Sequence, residues 1–150
     1  IKNTFISSTF WTERIGNVAA LATLETMSRE KSWKKISQYG DYFKKNFKKI
    51  AKNKNIDVEI KGLKSLLSIE FINFEKKLIK TYLMKKFLKK GFLFNTIVFF
   101  STEHKKSKID QYLEILDSEL SMLSNMDNDD LKKILNKDFL SNDSFRRINN

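Results

Sequence analysis

The chain has 150 residues, with 29 Lys and Arg against 18 Asp and Glu, a net charge of +11, one histidine, and neither cysteine nor proline. That length is one domain's worth, and the lack of cysteine excludes disulfides and thiolate metal sites, so no metal site is assigned. The longest apolar stretch, residues 92–100, is too short to span a membrane and has Asn95 and Thr96 inside it, and no apolar targeting segment is present. A cytoplasmic chain without a membrane partner is expected.

Three hydroxyls, Ser7, Ser8 and Thr9, precede the aromatic pair Phe10 and Trp11, and a helix begins near Glu13 with Ala20, Leu21 and Leu24 on it. Hydroxyls and backbone N–H groups at a helix start suit an anion site. The plainer alternative is that Thr9 or Thr12 caps the helix. Residues 28–32 read as a polar break. A second helix follows from about Trp33, with Tyr39, Phe43, Phe47 and Ile50 on one side and Lys44, Lys45, Lys48, Lys49 and Lys52 on the other, the solvated face of an amphipathic helix.

Strand periodicity takes over next. Ile56, Val58 and Ile60 alternate with charged residues, Gly62 marks a turn, and Leu67, Ile69 and Phe71 alternate with Ser68 and Glu70. The pair is expected to form an antiparallel hairpin at the side of a sheet. Residues 75–90 read as a helix packing through Ile79, Tyr82, Leu83 and Phe87, with Gly91 as its stop. The run 92–100 is expected to be a central strand buried on both faces. Ile109, Tyr112, Leu113, Leu116, Leu120 and Leu123 mark the last long helix, and Ser107 with Asp110 gives it a capping-box start. Residues 125–130 read as an acidic linker, followed by a short amphipathic piece, 131–135, and a tail.

The order helix, helix, strand, strand, helix, strand, helix is a compact α+β unit. Three blocks of it resemble the C-terminal part of class III pyridoxal-phosphate (PLP) aminotransferases. They are the opening block through Val18-Ala19-Ala20-Leu21-Ala22-Thr23-Leu24; Gly91-Phe92 through Phe100-Ser101-Thr102-Glu103-His104 with Ile109-Asp110; and the tail Phe145-Arg146-Arg147-Ile148-Asn149. The similarity is greatest to the glutamate-1-semialdehyde 2,1-aminomutase-like and sugar-pathway branches. It implies the small C-terminal domain of a fold-type-I enzyme. Residues 1–30 would be an interdomain, cofactor-contacting segment and first helix, 31–124 the small domain, and 125–150 a polar linker and tail.

The resemblance implies PLP as cofactor, and places Thr9 where the family has a threonine that hydrogen-bonds the cofactor phosphate of the neighbouring subunit, with Ser8 in support. It implies amino-group transfer in a homodimer, with a large PLP domain, a second identical subunit and a small-molecule amino donor and acceptor as partners. The Schiff-base lysine, the aspartate on the pyridine nitrogen and the stacking aromatic belong upstream in the family. No catalytic residue is therefore assigned, and the chain alone is expected to be inactive. Some aminomutases also have an acidic residue in the strand near Asn95 and Thr96. This chain has none there, which favours a plain aminotransferase. Lys105 stands where the family often has a capping threonine. His104 is read as a residue fixing the turn from strand to helix. The alternative function is a small basic module that binds nucleic acid. Against it, the positive charge is nearly all lysine, with arginine only at 14, 29, 146 and 147.

Overall fold

The structure, a computed structural model, describes residues 13–135. Within them the order is α1 (Arg14–Glu30), α2 (Ser32–Asn53), β1 (Val58–Leu63), β2 (Leu66–Phe71), α3 (Lys76–Leu88), β3 (Ile97–Phe99), α4 (Lys106–Leu123) and α5 (Asn128–Ile134). The chain divides into two compact units, residues 1–34 and 35–150.

In the first unit, Glu13 caps α1: its carboxylate accepts from the N–H of Ile15 (2.6 Å) and of Gly16 (2.8 Å). The side chain that takes these first-turn donors thus belongs to Glu13, which corrects the reading of Thr9 or Thr12 as the cap. The polar break shrinks to one residue, Lys31, in the left-handed conformation at φ 51°. No residue of α1 is buried. Its apolar side chains Ile15, Val18, Leu21 and Leu24 recur every third position, so they wind around the helix rather than forming one stripe.

The second unit is built on α2. Phe43, Phe47 and Ala51 are buried along one face, as the periodicity predicts, and most of the lysines opposite are exposed. Asn55, at φ 56°, ends this helix in a Schellman turn, with the N–H of Ile56 donating to the Ala51 carbonyl. The antiparallel hairpin forms in the register Val58↔Phe71 to Leu63↔Leu66. Its turn lies at Lys64 and Ser65, not at Gly62. Gly62 stays in the ladder opposite Leu67 at φ 102°, where a Cβ would collide with the Leu66 carbonyl.

The sheet order is β1-β2-β3, so β2 is the central strand. This corrects the reading of residues 92–100 as a central strand buried on both faces. Only Ile97–Phe99 form a strand, paired along one side, and of this run just Phe94, Thr96 and Phe100 are buried. An apolar run has no period with which to distinguish an inner strand from an edge. The helix expected over 75–90 is α3, with Ile79, Tyr82, Leu83 and Phe87 buried. Gly91, at φ 78°, closes a second Schellman turn through Phe92 N–H to the Phe87 carbonyl.

The capping box expected at Ser107 does not form. Helix α4 begins two residues earlier, Lys105 is its cap residue without a side-chain bond, and Asp110 bonds Tyr42 and Lys106 instead. A true capping box lies in the segment read as linker: Asp127 accepts from the N–H groups of Asp129 and Asp130, and Asp130 reaches back to Asp127 N–H. It starts α5, whose Leu131 is buried and whose Asn128 accepts from Glu75 N–H (2.7 Å) at the head of α3.

Candidate functional site

Ser8 and Thr9, together with Phe10, Trp11 and the tail block at Phe145, lie outside the described residues. The second sequence block, from Gly91 to Asp110, is described throughout, and its geometry can be built from the chain upward.

The Schellman turn at Gly91 reverses the chain after α3 and lays Phe92 against Tyr112 of α4, with ring centres 5.9 Å apart. After β3 the chain turns at Ser101. The N–H of Ser101 donates to His104 Nδ1 (2.9 Å), and the Ser101 hydroxyl lies 3.0 Å from the same nitrogen. With Nδ1 accepting, the imidazole proton sits on Nε2. The ring also meets Phe100 edge-on at 6.0 Å. His104 therefore fixes the turn from strand to helix, as expected, and no carboxylate among the described residues orients it for proton transfer.

Between this turn, β3 and α2 lies a hollow of about 590 Å³. Its walls are aromatic, from Phe43, Phe92, Phe100 and Tyr112, and Glu103 and Lys108 stand among its lining. The volume and the few polar groups on apolar walls are those of a small-ligand or side-chain pocket. The hydroxyl of Tyr112 has no hydrogen-bond partner among the described residues, and burial pushes its pKa up, so it stays protonated at any ordinary pH. Beside the hollow, the hydroxyl of Tyr42 donates to Asp110 (2.6 Å) and Lys106 pairs with it at 2.9 Å. Both hold the Asp110 carboxyl below the usual carboxylate range, the Tyr42 hydrogen bond most.

One further polar group was not foreseen. Glu119 is buried between α3 and α4, accepts from the Tyr82 hydroxyl (3.2 Å) and lies 3.8 Å from Lys86. Its signal was in the sequence: it sits three residues after Leu116 and four before Leu123, on the apolar face. Among the described residues no cluster of His, Asp and Glu could hold a metal, and no helix is long and apolar enough to cross a membrane.

The chain matches no protein-family description and no curated protein. Its fold is similar to a solved structure, the PLP internal aldimine form of the FumI protein of Sphingopyxis sp. MTA144. The TM-score is 0.70 at 18% sequence identity. The likeness covers 81% of this chain but 30% of that one, so the chain spans under a third of the protein it is similar to.

Proposed function

We propose that this chain is the C-terminal small domain of a PLP-dependent class III aminotransferase or aminomutase, acting in amino-group transfer. The observation that carries the reading is the fold likeness to a PLP-bound protein over 81% of the chain, and it agrees with the three sequence blocks. The exposed, many-sided apolar surface of α1 supports it as well, since a helix apolar around its girth calls for cover on more than one side. A large domain and a second subunit would provide that cover.

The described residues do not make a cofactor site by themselves. No lysine among them is buried, and Lys108, which lines the hollow with Glu103, is exposed. The chain's own part in the chemistry is therefore binding and positioning: Thr9, helped by Ser8, donates to the cofactor phosphate across the subunit boundary. PLP, when bound, supplies the electron sink for amino transfer, and the lysine that holds it belongs to another part of the protein.

The test compares the longer polypeptide containing this chain with the 150-residue chain alone, each mixed with PLP and reduced with borohydride. The longer protein should carry the cofactor on one specific lysine upstream of Thr9, and the isolated chain on none. Specific trapping within residues 1–150, or no PLP binding by the longer protein, would sink the reading.

A further inference from the structure

Three observations meet at β3. The first is its backbone. Phe100 N–H donates to the Ser65 carbonyl (2.9 Å) and Ile69 N–H to the Thr96 carbonyl (2.8 Å), so pairs 65/100, 67/98 and 69/96 are the hydrogen-bonded ones. Antiparallel alternation then turns the N–H and C=O groups of Ile97 and Phe99 away from β2. No strand among the described residues pairs with that free side.

The second is what decorates it. Leu93, Ile97 and Phe99 are 85%, 47% and 68% exposed. Residues 91–102 contain no charged side chain, in a chain that is 31% charged. Edges meant for water are blunted with lysine or proline, and this one has neither. The third is the aromatic hollow beside it, with Tyr112 among its lining.

We propose that β3 is a docking edge for an extended, uncharged strand with large apolar side chains at alternate positions, supplied by the same polypeptide from outside these 150 residues. The strand pairs with the main chain of Ile97 and Phe99 and places one side chain in the hollow, as in strand addition to a sheet edge. A second copy of the chain is the poorer occupant. Two three-residue edges cover far less than the roughly 1,000 Å² a stable association needs. The source of the strand rests on the reading of the chain as one domain of a longer protein, but not on the cofactor.

Amide hydrogen exchange tests this, read residue by residue in the longer protein and in the 150-residue chain at two concentrations. In the isolated chain, Val98 should exchange slowly while Ile97 and Phe99 exchange fast. In the longer protein both should slow by about thirtyfold, the worth of two main-chain hydrogen bonds. Phe99→Pro deletes an outward N–H without touching a bond to β2, and should restore fast exchange at Ile97 in the longer protein. Phe99→Thr keeps the backbone and should weaken the slowing, so the proposal stays open to test if the proline variant does not fold. Fast exchange at both residues in the longer protein overturns the proposal. So does slowing in the isolated chain, which puts a second copy on the edge if it grows with concentration and a strand from within the chain if it survives dilution. A slowed edge in a longer protein that binds no PLP leaves this inference standing and removes the functional reading. A PLP-binding protein with a fast edge does the reverse.

Discussion

Replacing Gly40 by alanine sets two known effects against each other. Gly40 lies inside α2, where alanine is favoured over glycine by about 1 kcal/mol from helix propensity alone. Yet a Cβ at this position would run into the main-chain carbonyl of Lys64, in the two-residue turn of the hairpin. That turn has little freedom to retreat. Leu63 and Leu66 pair on either side of it, and the Lys64 ammonium is bound to Asp41, the residue after Gly40. Overpacking costs about 1–3 kcal/mol, and a backbone obstacle belongs in the upper part of that range. The net expectation is a loss of roughly 1–2 kcal/mol, the collision outweighing the propensity. For a domain near 100 residues that is a fall in Tm of roughly 4–16 °C. Urea titration and thermal melting followed by circular dichroism read it. The control is Gly16→Ala in α1, where the new Cβ meets only the carboxylate end of Glu13 at 3.0 Å, a flexible group, so stability should hold or rise. If Gly40→Ala melts with the wild type at an unchanged m-value, the hairpin is not seated on α2 as described. The placement of β2, and of β3 beside it, would then need another cause.

In the longer protein, Thr9→Val should weaken PLP binding about ten- to a hundred-fold, for the loss of one charge-assisted hydrogen bond of roughly 1.5–3 kcal/mol. Cofactor dissociation followed by absorbance measures this; Ser8→Ala should do less, and because Glu13 is the cap, neither should melt α1. His104→Ala should destabilise the small domain by about 1 kcal/mol through the Ser101 bonds, in a urea titration, while leaving PLP affinity unchanged. Burial, and then the Glu119 charge, push the Tyr82 hydroxyl up to about 12. A raised folded pKa favours the protonated fold, so its contribution is complete below about pH 10 and is lost as pH rises from there towards 12. Urea midpoints across that window should fall less steeply for Tyr82→Phe than for the wild type.

The elements with a clear period were legible in the sequence. Phe43 and Phe47 at i and i+4 gave the buried face of α2, and the alternation around Ile60 and Ile69 gave the hairpin. What escaped had no period or had an ambiguous signal. Gly62 was read as a turn because glycine so often makes one, but its positive φ serves a position within the ladder. Ser107 and Asp110 had capping-box spacing, yet Asp110 is drawn to Tyr42, 68 positions away, and no local rule sees such a partner. The acidic run near Asp127 looked like a linker, whereas acids at a helix start are what its dipole favours. The hollow was invisible for a similar reason. Its walls come from α2, the segment after Gly91 and α4, and the sequence shows each only as core.

Charge is what ties the exposed surfaces to function. The lysines recur along α2 and α3, while residues 15–24 of α1 and 91–102 around β3 carry no charge. A module that binds single-stranded nucleic acid uses aromatic rings among its exposed lysines for bases to stack on. Here the aromatic residues that alternate with the lysine stripe, Phe43 and Phe47, are buried on the opposite side of the helix. The basic face of α2 thus offers charge to solvent without a stacking platform. The two charge-free surfaces leave apolar side chains such as Leu21, Leu93 and Phe99 in water, and on the proposed function these are the sides that the rest of the protein would cover. Such a partition of charge suits the proposed role as one domain of a larger protein, and it is read from where the charged residues stand rather than from the likeness of fold.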